Sequence, residues 1–321
     1  MKRFIKIFTN LLAVLLLAIA CASIAGCSKE DIKTAKLTLQ LYNYSDNEFY
    51  AQEEVTMTID LYGHLAPKTV EAISKYINEG YYNNAIFYQA DIKGVKQIMV
   101  GNLLVDGTNI VVDNKDNVNI KLNAIKPTLP GEFANNGIVG SDLVNTKGAV
   151  GLWRDWYASS DYTYSTAMNT GRATWFMLDG PQTKYDGSFC VFGQFNLEDT
   201  ANITAFDGLQ SIFSNSNNYD EYVIFYTGEY DASKPNCGLT FHCVTKDRFE
   251  ELKKYKKYTD EQKEELSQED RALCEYFDSA DEKNEDVHTL NSFDSYTIRV
   301  PKSKNGKLGA VIKTATVADK K

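Results

Sequence analysis

The chain has 321 residues, a formal net charge of −9 and 43% hydrophobic residues, enough apolar material for one sizeable core. Its acidic balance argues against nucleic acid as a partner and against adhesion to anionic lipid through a basic surface, since both need clustered Lys and Arg. The six cysteines show no zinc spacing, and no P-loop, dinucleotide fingerprint or nucleophile elbow is present.

At the start of the chain Lys2, Arg3 and Lys6 precede an apolar run from Leu11 to Ala20. The run is too short for a spanning helix and has the charge asymmetry of an export signal. It ends in SIAGC, where Ile24, Ala25 and Gly26 before Cys27 resemble a bacterial lipobox. Cys21, with Ala18 three positions before it, matches that pattern less well. The resemblance implies removal of residues 1–26, lipidation of Cys27, and an extracytoplasmic protein attached to a membrane by its acyl chains. Processing would leave the chain three charges more negative. Residues 27–36 are expected to form a polar tether, and residues 37–321 the folded domain.

Leu37, Leu39 and Leu41, then Val55, Met57, Ile59 and Leu61, recur at period two and predict paired strands over 36–44 and 54–62. Val70, Ile73 and Ile77 recur at helical spacing after Pro67 and before Gly80, which predicts a short helix with a sharp stop. NAIFYQA and VKQIMVG follow as two further strands, and the Asn- and Asp-rich stretch from Asp106 to Asn123 as a loop or hairpin. From Gly148 to Phe195 the dense aromatic and aliphatic residues, broken by Gly, Asp and Ser, suit more short strands. Phe206, Leu209, Ile212 and Phe213 predict a second helix over 204–216.

After Thr245 the composition turns charged and helix-favouring, with Thr259 and Gln262 in a capping-box pattern. This insertion, at about 245–286, is expected to be a solvated helical hairpin or a partner-binding surface. YTIRV and GAVIKTATV close the chain as strands. Cys237 and Cys243 flank a turn and are open to bridging in an oxidising compartment, whereas Cys190 and Cys274 suit buried positions.

Several stretches in this order resemble the cyclophilin-type peptidyl-prolyl isomerases: LYGHLAPKTVEAISKYINEGYYNNAIFY, GAVGLW, RATWFMLDG, YDGSFCVFGQ and the closing AVIKTATV. The resemblance implies a mainly β fold, a closed antiparallel barrel with capping helices and a peptide groove on one outer face. It also implies catalysis of rotation about X-Pro bonds with no cofactor and no metal, and proline-containing peptides or exported proteins as partners. By that resemblance Phe87, Met99, Phe176 and Tyr185 would hold the proline, and Thr174, Phe189 and Trp153 would line the rest of the groove. Gln89 falls at the family's catalytic arginine, and Trp153 and Arg154 at its Ala-Asn pair.

The substitution at 89 matters because the twisted amide gains a lone pair on the prolyl nitrogen, which a guanidinium stabilises. A carboxamide donates a neutral hydrogen bond, about half as strong as a charge-assisted one. Arg154 and Arg172 are the candidate replacement cations or, alternatively, surface ion-pair partners. Two function classes follow: a lipid-anchored isomerase or folding helper, and a catalytically degenerate peptide-binding or scaffolding lipoprotein. A solute-binding lipoprotein ranks a distant third, because the chain lacks the alternating strand-helix halves such receptors need.

Overall fold

The computed structural model describes residues 31–45, 48–51, 54–92, 95–105, 120–138, 143–154, 168–227, 240–254, 258–268, 270–271, 273–274, 296–302 and 309–320. The expected export signal, Cys27 and the first residues of the expected tether, 27–30, lie outside them.

The fold is mainly β. Strand β1 (Ile32–Ser45) pairs antiparallel with the short β2 (Glu48–Ala51), with β3 (Val55–Tyr62) and with β14 (Ala310–Asp319). β1 therefore begins inside the segment expected to be a tether: Lys33 already faces Leu61 on one side and Asp319 on the other. The alternation read from the sequence is the packing pattern, since Leu37, Leu39, Leu41, Met57, Ile59 and Leu61 are all buried in one core.

Helix α1 (Pro67–Asn78) buries Val70, Ile73 and Ile77 in that core. Its N-cap residue, Ala66, has no side-chain cap, and the carboxylate of Glu132 arrives from elsewhere in the chain to do the job. Glu132 accepts from the backbone N–H of Lys68 at 3.1 Å and of Thr69 at 2.7 Å, two of the donors a helix start leaves orphaned. The helix stops where Gly80 adopts a φ of 73°, a conformation that glycine enters without strain.

Strands β4 (Tyr88–Ile92) and β5 (Val95–Val100) form a hairpin, and β6 (Leu103–Val105) pairs with β7 (Ile120–Leu122) in a separate two-stranded sheet. β8 (Ala149–Leu152), β9 (Trp175–Met177) and β10 (Cys190–Phe195) follow. Helix α2 (Thr200–Ser214) starts four residues before the sequence pattern suggests, because Asp199 caps it by accepting from Ala201 N–H at 2.8 Å. Asn202, fully buried, pins α2 to β3: its Oδ1 accepts from Thr58 N–H at 2.8 Å.

Beyond α2 come β11 (Tyr219–Thr227), β12 (Thr240–Thr245), α3 (Lys246–Lys254), α4 (Asp260–Glu264) and β13 (Tyr296–Pro301). The Thr259/Gln262 capping box is formed at the start of α4. The addition is wider than the helical insertion expected at 245–286, for it carries three strands that extend the main sheet. Helix α3 is also not merely solvated: its Phe249 and Leu252 pack with Cys274 on Val223 and Phe225 in a small core of their own.

The main sheet runs β12-β11-β13-β4-β5-β9-β8-β10-β3-β1-β14. It is an open hydrogen-bonded path, and the closed barrel expected from the resemblance is not completed by a ladder. β14 instead returns to the residues just before β4 through single contacts: Asn84 N–H donates to Ile312 O at 2.7 Å, Phe87 N–H to Ala310 O at 3.1 Å, and Ile86 bridges Val311. One sheet face, together with α1 and α2, encloses the first core. The other face carries the second core, which holds the candidate site.

Candidate functional site

Alternation along β4, β5, β8 and β9 sends every second residue to the second face. Tyr88 pairs with Met99, and Met99 with Phe176, so these three stand in a row across the sheet. Gly151 on β8 lies opposite Phe176, and a Cβ at that position would come within 2.2 Å of the Phe176 ring. A glycine is therefore required for the ring to lie where it does.

Around Phe176 the aromatic rings contact edge to face: Tyr185 at 5.6 Å, Phe189 at 5.5 Å and Trp153 at 6.3 Å between centroids. Trp153 also stacks on Phe189 at 5.4 Å with 23° between planes. Such pairs add about 0.5–1.5 kcal/mol each beyond their burial. Trp153 is held at the end of β8 by its backbone N–H, which donates to Thr174 O at 2.9 Å. The structure thus brings together Met99, Trp153, Thr174, Phe176, Tyr185 and Phe189. The face is also sealed, with Met99, Phe176 and Tyr185 at 0% exposure and Trp153 at 6%.

Phe87 and Gln89 fall elsewhere. Phe87 lies in the first core, edge-on to Trp175 at 6.2 Å. Gln89 follows Tyr88 and so faces away from Met99. Its Oε1 accepts from Arg299 Nη1 at 2.6 Å, and Arg299 is its ladder partner on β13. The guanidinium beside position 89 is therefore Arg299, neither Arg154 nor Arg172. Arg299 also pairs with Glu221 at 3.6 Å and lies over the Tyr219 ring at 5.2 Å. Glu221 is held below the usual carboxylate range, first by its hydrogen bond from Lys246, with the charges of Lys246 and Arg299 adding to it.

Arg154 is the cation in contact with the aromatic face. It is 5% exposed, with its guanidinium carbon 5.0 Å from the Phe189 ring centre and 5.4 Å from that of Phe133. Its Nε–H donates to Ser188 O at 2.7 Å, and burial pulls its pKa down to about 10. Arg172 donates from Nη1 to Lys126 O at 2.9 Å and takes no part in the ring cluster.

Sequence reasoning missed Tyr88, Gly151, Tyr296 and Arg299. Tyr296 reaches Trp153 at 6.2 Å, and burial together with the neighbouring Tyr296 holds the Tyr88 phenol well above its ordinary pKa. The signal for Tyr296 was present, since Tyr296, Ile298 and Val300 alternate in YTIRV. Cys243 is a free thiol buried beside this cluster and pushed up to about 12 by that burial; Cys237, the other half of the bridge left open by the sequence, lies outside the described residues.

A family model described as cyclophilin type peptidyl-prolyl cis-trans isomerase/CLD matches residues 48–219. That is more than half of the chain, and the chain belongs to this family. No curated protein matches it. Among solved structures it is similar to a Cryptosporidium parvum cyclophilin type peptidyl-prolyl cis-trans isomerase, at 17% identity over 55% of this chain and 83% of that one, with a TM-score of 0.31. The same protein solved in the presence of the dipeptide ala-pro gives 17% identity, 54% and 83% coverage, and a TM-score of 0.31.

Proposed function

We propose that this member of the family is a lipid-anchored, extracytoplasmic folding helper acting on X-Pro bonds of exported proteins. The observation that carries the reading is the coincidence of the family match over 48–219 with the apolar cluster of Met99, Phe176, Tyr185 and Phe189 on one face of the matched strands. The two isomers of an X-Pro bond differ by only about 0.5–1 kcal/mol, so a catalyst has only to favour the twisted state between them. An apolar face that holds the ring suffices for binding, and Arg154, stacked on Phe189, is the cation that borders that face. The export signal and the Cys27 pattern support the location.

A second reading, a degenerate peptide-binding or scaffolding lipoprotein, is favoured by one observation: position 89 carries a carboxamide and faces away from Met99. Loss of a preorganised donor commonly removes about 2.7–4 kcal/mol of transition-state stabilisation. Isomer exchange of a short X-Pro peptide, followed by NMR with and without the purified protein, separates the two. Acceleration supports the first reading. Peptide binding without acceleration supports the second.

A further inference from the structure

The family match ends at Tyr219, and the backbone N–H of Lys302, just after β13, donates to Asn218 O at 2.8 Å, just before β11. The start of β11 and the end of β13 are thus one hydrogen bond apart. β13 lies along β4 through three residue pairs, Thr297–Asp91, Ile298–Ala90 and Arg299–Gln89, and β11 lies along β13.

Alternate residues of the two strands, Tyr222 and Ile224 on β11 and Ile298 and Val300 on β13, are buried in the same cluster as Met99, Phe176 and Tyr185. Tyr296 extends this contact to Trp153, and Trp153 in turn stacks on Phe189. A peptide-binding face has to remain open to solvent until its ligand arrives. Here the residues that would receive a prolyl ring are already sealed, within a cluster that the chain's own later strands help to complete.

We infer that strands β11 and β13 form an intramolecular cover that occupies the proline-binding face in cis, so the intact protein is a latent isomerase. The inference rests on the isomerase reading above. The Tyr296–Trp153 contact is the latch, and loosening it admits an X-Pro peptide to the ring cluster.

The test uses the full chain and its Trp153→Ala/Tyr296→Ala variant, with an unstructured Ala-Ala-Pro-Phe peptide as probe and cis-trans exchange read by NMR. A second variant removes residues 219–301 and joins Asn218 to Lys302 through a short Gly-Ser link, a join the Asn218–Lys302 hydrogen bond makes geometrically cheap. At least a tenfold gain in exchange per mole of protein, in either variant, is the expected result. Equal activity in intact and altered chains overturns the cover and leaves the isomerase reading standing. If folded variants neither accelerate exchange nor shift the peptide resonances, the isomerase reading falls and the cover with it. Should the shortened chain fail to fold, the double variant in the full chain decides between these outcomes by the same criteria.

Discussion

Gln89 and Arg299 face each other across the β4–β13 ladder, and their 2.6 Å hydrogen bond ties the addition to the family segment. Replacing Gln89 with Arg, the change that restores the family residue, would set two guanidinium groups side by side on the face opposite Met99. We expect Gln89→Arg to leave isomerase activity no higher and to lower stability by about 1–2 kcal/mol, because a hydrogen bond to a charged group is lost and like charges meet. Peptide exchange and urea titration measure the two effects, and a rise in turnover would show that position 89 reaches the proline after all. Glu132 is a second residue whose role is local and legible. Glu132→Ala should cost about 1–2 kcal/mol in urea titration, since it strips α1 of its cap and leaves two donors unpaired. The buried thiols give a pH-dependent readout. Burial pushes Cys190 and Cys243 up to about 12, so both should resist iodoacetamide at pH 8 in the native protein and react once it is unfolded. The sign for stability is the same for both: above about pH 9 the unfolded chain releases the thiol protons and the folded chain does not, so stability falls as pH rises from 9 towards 12.

Among the elements, α3 and the sheet extension form a unit with its own small core. Leu252 is fully buried on Val223 and Phe225, apart from the first core. Leu252→Ser should therefore raise hydrogen exchange in α3, β11 and β12 while leaving the amides of β1, β3 and β14 protected. Equal loss of protection in both sets would mean that the extension and the family strands unfold as one. The elements themselves were legible in the sequence wherever the apolar period was long: β1, β3, α1 and α2 follow Leu37–Leu41, Val55–Leu61, Val70–Ile77 and Phe206–Phe213. What escaped was the side to which a strand residue points. Phe87-Tyr88-Gln89 is too short a run for period two to show which residue shares a face with Met99, and only the Tyr88–Met99 pairing decides it. In the charged segment after Thr245 the sequence does show a packed face, because two apolar side chains, Phe249 and Leu252, are enough to dock α3.

For the molecule as a whole, the family was legible from the order of several weak motifs, none of them specific alone. The sealing of the candidate site was not, because it involves strands more than 200 residues apart in the chain, β4 and β13, lying edge to edge. The proposed attachment to a membrane belongs to this scale too. Cys27→Ala should release the protein from membranes or leave an unprocessed precursor, as cell fractionation and the mass of the product would show. A normally processed, membrane-bound Cys27→Ala protein would exclude the lipobox reading.

The pairing of β1 with β14 joins Lys33 to Asp319 and so spans almost the whole chain. A ribosome releases β1 long before β14 exists, and for that interval one edge of β1 has no partner in the sheet. The main sheet can be finished only after synthesis of Asp319, which makes its folding late and its contact order high. Until then the unpaired edge is open to other chains. In this topology the first long strand to be made is among the last to have both of its edges satisfied.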